Sequence, residues 1–173
     1  MKNSLKLLVL LFSITMTAQQ YGKHWNQRNK EYYGFVSTGF DVRNLAIGSQ
    51  PTNDKSALDI QLKVGARANA LEVSMFYENF NRIQFQAYGA NVNGVFQLYK
   101  NFDLALGVEL GSVIRERNSN FLMFGINSEI RYDLRKFIVS LQVNNRYRKD
   151  LLIYGKDLPI VNSVFFNVYY KLN

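Results

Sequence analysis

This chain predicts an all-β fold: an eight-stranded antiparallel up-and-down transmembrane β-barrel preceded by a signal peptide. Three observations carry that expectation. Hydropathy repeats every second residue over most of the chain, which is the period of a strand whose side chains alternate between two faces. The polar face carries charges of both signs, while the apolar face carries none in mid-strand. Short turns alternate with longer connections, as in barrels that cross an outer membrane.

The opening residues set the compartment. Lys2 and Lys6 precede the apolar run Leu7 to Ile14, and Met16-Thr17-Ala18 leads into Gln19-Gln20. A basic start, a short apolar core and a small residue describe a secretory signal peptide over 1–18. The run is too short to cross a bilayer as a helix, which takes about 20 residues. Polar or charged residues interrupt every later apolar run, so insertion would be by strands. There is no cysteine, so disulfides and thiolate metal sites are excluded. Residues 19–32 are polar and aperiodic, with His24 and Trp25 among them, and read as a periplasmic lead-in.

The 173 residues suit one domain, and the barrel is expected over 33–173. The first strand is expected at 33–44, with Val36, Thr38, Phe40 and Val42 on one face. The second, 56–68, sets Leu58, Ile60, Leu62 and Val64 against Asp59, Gln61, Lys63 and Gly65. The third, 70–79, sets Leu71, Val73, Met75 and Tyr77 against Glu72, Ser74, Phe76 and Glu78. The fourth, 82–99, changes parity between Phe85-Ala87 and Ala90-Val92, which predicts a β-bulge near Gly89. The fifth, 101–115, sets Phe102, Leu104, Leu106, Val108 and Leu110 against Asp103, Glu109 and three small residues. The clearest pattern follows, from Phe121 to Tyr147. Leu122, Phe124, Ile126 and Ile130 alternate with Met123, Asn127, Glu129 and Arg131. The pattern resumes after Arg135-Lys136 with Phe137, Val139, Leu141 and Val143. The eighth strand, 161–172, ends in Val164, Phe166, Val168, Tyr170 and Leu172 on one face. Short periplasmic turns are expected near Asn69, Lys100-Asn101 and Arg135-Lys136, and outer loops at about 45–56, 79–82, 116–120 and 148–160.

A soluble barrel of the lipocalin sort also alternates, but turns its apolar face inward. Three features favour lipid outside. A charge facing lipid at mid-depth costs about 2–4 kcal/mol, which explains its exclusion from the apolar face. Glycines on the polar face (Gly39, Gly65, Gly107, Gly111, Gly125) weaken a solvated strand but relieve crowding in a narrow interior. Tyr77, Tyr132, Tyr147 and Tyr170 stand near strand ends on the apolar face, where an aromatic girdle belongs. The expected lumen network is Asp41, Arg43, Asp59, Lys63, Arg67, Glu72, Glu78, Asp103, Glu109, Glu129, Arg131, Asp133, Arg146 and Lys171, with acids and bases neutralising one another.

The leader, the Thr17-Ala18-Gln19-Gln20 junction, the alternating strands and the apolar-aromatic last strand (Val164 to Leu172) resemble small outer-membrane β-barrel domain proteins, especially the Bacteroidota-type family. That resemblance implies an outer membrane of a Gram-negative bacterium and delivery by the barrel assembly machinery. A terminal aromatic residue often serves that machinery. Here the chain ends Tyr169-Tyr170-Lys171-Leu172-Asn173, so the role would fall to Tyr170 and Leu172.

Chemistry is sparse. The single histidine, His24, precedes the first strand, on the side away from the outer leaflet where lipid-modifying barrel enzymes work. With one His and no Cys, no metal cluster is expected. Gly89-Ala90-Asn91-Val92-Asn93-Gly94 lies within a strand, not before a helix, so it is no phosphate loop. No cofactor is expected. The formal net charge of +8 suits lipopolysaccharide phosphates better than nucleic acid in an exported chain. Lys55, Arg82, Arg115, Arg117, Arg148, Lys149 and Lys156 form an expected outer basic rim facing lipid phosphates or an envelope protein partner. The functional expectation is a non-enzymatic barrel with a plugged lumen, serving envelope integrity or partner contact. The alternatives are a narrow channel for small solutes and a secreted soluble barrel with an apolar ligand.

Overall fold

The computed structural model describes residues 31–47, 58–81, 84–115, 118–154 and 159–172. The expected signal peptide, His24 and the rest of the lead-in before Glu31, together with Lys55, Arg82, Arg117 and Lys156, lie outside the described residues, as does the side chain of Arg115.

Eight strands follow in chain order: β1 (Tyr32–Asp41), β2 (Ile60–Ala68), β3 (Leu71–Phe80), β4 (Phe85–Tyr99), β5 (Phe102–Arg115), β6 (Asn118–Asp133), β7 (Phe137–Arg148) and β8 (Ile160–Leu172). Each pairs antiparallel with the next, and β1 pairs with β8 to close the barrel. Val36 thus stands opposite Val64 of β2 on one side and Tyr170 of β8 on the other. Closure leaves no open sheet edge, so every strand satisfies its backbone on both flanks.

One end of the barrel is made of tight turns. Ala68 pairs with Leu71 and Tyr99 with Phe102, leaving two-residue links at Asn69-Ala70 and Lys100-Asn101. The third turn, between Asp133 and Phe137, is tied by the Arg135 N–H donating to Asp133 Oδ1 at 2.8 Å and the Leu134 N–H donating to the Phe137 carbonyl at 2.8 Å. Asn69, Lys100 and Arg135 have φ of 58°, 40° and 73°, the left-handed conformation that such turns require. The opposite end carries the loops. Two connections are long, 42–59 and 149–159, and two are short, 81–84 and 116–117. The loop expected at 116–120 is shorter than that, because β6 begins at Asn118 and pairs there with Arg115. Two helical pieces flank the long loops: α1 (Val42–Ile47) and a 3-10 turn over Lys149–Tyr154.

The fourth strand corrects the sequence reading. Its pairing runs without a break through Gly89, and the irregularity falls between Gln97 and Tyr99. There is no change of parity: Phe85 and Ala87 face inward, in line with Asn91 and Asn93.

Inside, glycine makes room for large side chains. A Cβ at Gly65 would lie 2.7 Å from Phe35 Cζ, and one at Gly89 would lie 2.8 Å from Phe76 Cε1. The rings occupy the space that these residues leave. At the loop end, Phe76, Phe80, Phe85, Ala87, Val113 and Met123 form a buried apolar layer. At the turn end, Tyr33, Phe35, Ile138 and Tyr169 form a second. Charged residues lie between these layers and at both ends beside them.

Candidate functional site

The site is the lumen together with the belt around it. Alternation along each strand places both. In β6, Arg131, Glu129, Asn127 and Met123 point inward and are buried, while Ile130, Ile126, Phe124 and Leu122 point outward.

Arg131 is the centre of the inner network. It donates from Nη1 and Nη2 to Glu72 at 2.5 and 2.8 Å and from Nη2 to Glu129 at 2.7 Å. Glu129 also accepts from the Tyr169 hydroxyl at 2.6 Å and from Ser140. Asn93 donates to Glu72 at 3.0 Å. The Arg131 guanidinium lies 5.0 Å from the Tyr169 ring centroid, so its face is covered too. Toward the loop end, Arg146 is held by Glu78 and Glu109, both at 2.5 Å. Its guanidinium sits between the Phe76 and Phe165 rings, at 5.7 and 5.8 Å. Lys63 donates to Gln142, which also accepts from Asn167 at 3.1 Å. Toward the turn end, Arg67 pairs with Asp103 at 3.0 Å and Lys171 with Asp133 at 2.6 Å. These charges are out of water, where removing one partner is far more costly than on a surface.

Two residues sit where the sequence reading did not put them. Arg43, expected in the lumen, lies in α1 because β1 ends at Asp41. Its side chain is 40% exposed and reaches Asp41 only at 3.9 Å. Arg148, expected on the outer rim, is buried at the loop end of the lumen. It pairs with Asp150 at 2.7 Å and stacks 4.0 Å from the Phe85 ring centroid. Asp150 was not foreseen. It lies in the 3-10 turn that folds back over the strand ends, a placement that two-residue periodicity does not reveal. Lys149 is exposed at the loop end.

The charges are segregated rather than balanced. Among the described residues, Asp41, Asp59, Glu72, Glu78, Asp103, Glu109, Glu129, Asp133 and Asp150 are all buried. Against these nine carboxyl groups stand six interior bases: Lys63, Arg67, Arg131, Arg146, Arg148 and Lys171. The expected neutralisation is therefore incomplete, and the excess acid gathers at the loop end around Asp41 and Asp59. The charged residues that are exposed among the described ones are all basic: Lys100, Arg135, Lys136 and Lys149.

Outside, the belt is apolar on every strand. Val36, Leu62, Met75, Val92, Val108, Ile126, Leu141 and Tyr170 are all exposed, Met75 at 68% and Ile126 at 64%. Rings flank it: Phe102 meets Tyr132 at 4.9 Å and Phe137 meets Tyr170 at 5.4 Å at the turn end, and Phe124 stacks on Tyr147 at 4.8 Å nearer the loops. No helix among the described residues is long and apolar enough to cross a membrane, which has no bearing on strands. Among the described residues, no group of three His, Cys, Asp or Glu side chains is placed to hold a metal.

The fold is shared with Neisserial surface protein A. The two structures superpose with a TM-score of 0.53 at 15% identity, over 82% of this chain and 97% of that one. A de novo designed transmembrane β-barrel is also similar, with a TM-score of 0.47 at 10% identity over 82% of this chain and 94% of the design. No family model matches the sequence, and no curated protein matches it.

Proposed function

We propose that the chain is an integral outer-membrane barrel with a closed lumen, serving envelope integrity or contact with a partner through its surfaces rather than catalysing a reaction. The observation that carries this reading is the inversion of burial. Ionised side chains are packed in the middle of the molecule, and Leu, Ile, Val and Met face outward around the whole circumference. In water such a surface is a contiguous apolar patch far beyond what a soluble monomer exposes. In hydrocarbon it is the favourable arrangement, and the barrel satisfies every strand without water. Aromatic rings at both margins fit the two interfaces of a bilayer.

The lumen supports a structural role. Apolar layers stand near both ends of the network, and the ion pairs between them hold one another. The leader and the last strand, with Tyr170 and Leu172 turned outward, support export and insertion by the barrel assembly machinery of a Gram-negative cell, as in the Bacteroidota-type barrels the sequence resembles. Exposed Lys149 at the loop end suits the phosphates of lipopolysaccharide. The test is gel migration of the outer-membrane fraction with and without boiling. A folded barrel migrates apart from the boiled chain and is extracted only with detergent. A protein released in soluble form, with one migration position, would sink the reading in favour of a secreted barrel.

A further inference from the structure

Among the described residues, the exposed charged side chains of the turn end stand in two turns. Lys100 stands in the β4–β5 turn, and Arg135 and Lys136 in the β6–β7 turn. These two turns are neighbours on the rim, separated by the β5–β6 pair. The Phe102–Tyr132 ring pair lies between them on the outward face, and the Phe137–Tyr170 pair follows. The Lys100 ammonium lies 5.1 Å from the ring of Tyr99, which is 62% exposed. Of the acids at this level, Asp103 and Asp133 are turned inward and held by Arg67 and Lys171. On the other flank of the β4–β5 turn, the β2–β3 turn offers Asn69 and Ala70, and its nearest base, Arg67, is buried.

We infer that this quadrant binds an anionic phospholipid of the adjoining leaflet, its phosphodiester held by Lys100, Arg135 and Lys136 and its glycerol and upper acyl chains resting on the Phe102–Tyr132 and Phe137–Tyr170 rings. The inference rests on the membrane reading above and adds a lipid class and a position to it. Two features fit the ligand. The cations lie just beyond the aromatic margin, where a bilayer places its phosphates. The backbone of the turn that presents two of them is fixed: the Lys136 carbonyl accepts from the Lys171 N–H at 2.9 Å, and the Arg135 N–H donates to Asp133 Oδ1 at 2.8 Å. A fixed backbone lowers the cost of ordering the side chains when a headgroup docks.

The experiment is native mass spectrometry of the detergent-solubilised barrel offered equal amounts of phosphatidylglycerol and phosphatidylcholine with the same acyl chains. The barrel should retain phosphatidylglycerol preferentially. Each neutralised cation (K100Q, R135Q, K136Q) should lower that preference by about fivefold, the worth of one base near an anionic surface. Lys149→Gln, at the other end, should leave it unchanged. Migration before and after boiling shows that each variant is folded, so loss of preference is separable from loss of the barrel. Equal retention of the two lipids, or an equal effect of Lys149→Gln, overturns the assignment. So does displacement of the lipid by free glycerol phosphate, since that makes the site a pocket for the headgroup alone.

Discussion

Arg131 concentrates the stability of the interior in one side chain. It bridges Glu72 and Glu129 with 1% of its side chain accessible, so Arg131→Ala strands two carboxylates in a dry bore. The expected loss is about 3–5 kcal/mol, read as a lower denaturant midpoint of the lipid-reconstituted barrel. Combining Arg131→Met with Glu72→Gln and Glu129→Gln removes all three charges and should recover most of that loss. Asp59, the residue before β2, behaves oppositely. Burial pushes its carboxyl well above the ordinary 3.8, with Glu78 and Asp41 adding to the effect and Arg146 and Arg148 opposing it. The folded state therefore holds this proton more tightly than the unfolded one. The stabilisation it provides is full below 3.8 and is lost as pH rises through the higher folded value. Asp59→Asn removes that dependence, so thermal melts at neutral pH should show the variant to be the more stable protein, with the gap closing under acid conditions.

At the scale of the strand, alternation does most of the specifying. β3, β5, β6, β7 and β8 are legible in the sequence because one parity of each is nearly all apolar and the other holds its charged residues. β4 is not, because Phe85 and Ala87 are apolar residues on the inner face, where they join Phe76, Val113 and Met123. Period two says that two faces exist; it does not say which face an apolar residue occupies when both hold some. Arg43 was misplaced and Asp150 missed for a related reason. Both lie just past strand ends, where α1 and the 3-10 turn break the period. The outward face also offers a direct check on its surroundings. Ile126 is the outward residue of β6 opposite Val108 and Asn145. Ile126→Arg should cost about 2–4 kcal/mol in folding titrations into phospholipid vesicles if this face meets hydrocarbon at mid-depth. A substitution on a watered surface would change stability by only a few tenths of that.

For the whole molecule, the fold class and the two-faced distribution of charge were legible, and the balance of interior charge was not. Among the described residues, nine buried carboxyls stand against six bases, and the placement of Arg43 outside the lumen and Asp150 inside it, both past strand ends, is what no local pattern encodes. The same packing bears on conduction. With apolar layers near both ends of the bore and guanidinium groups clamped between carboxylates, the purified barrel in a planar bilayer should carry no steady ion current. Sustained single-channel openings would favour a solute pore instead. The junction of β1 with β8 has a further consequence. Gly34 lies opposite Leu172, so the start of the first strand and the finish of the last are side by side on the tight-turn rim. A short linker spanning that gap, with a new opening cut at 134–136, would yield a circularly permuted chain with all eight ladders intact. The order in which the strands are synthesised is thus separable from the ring they make.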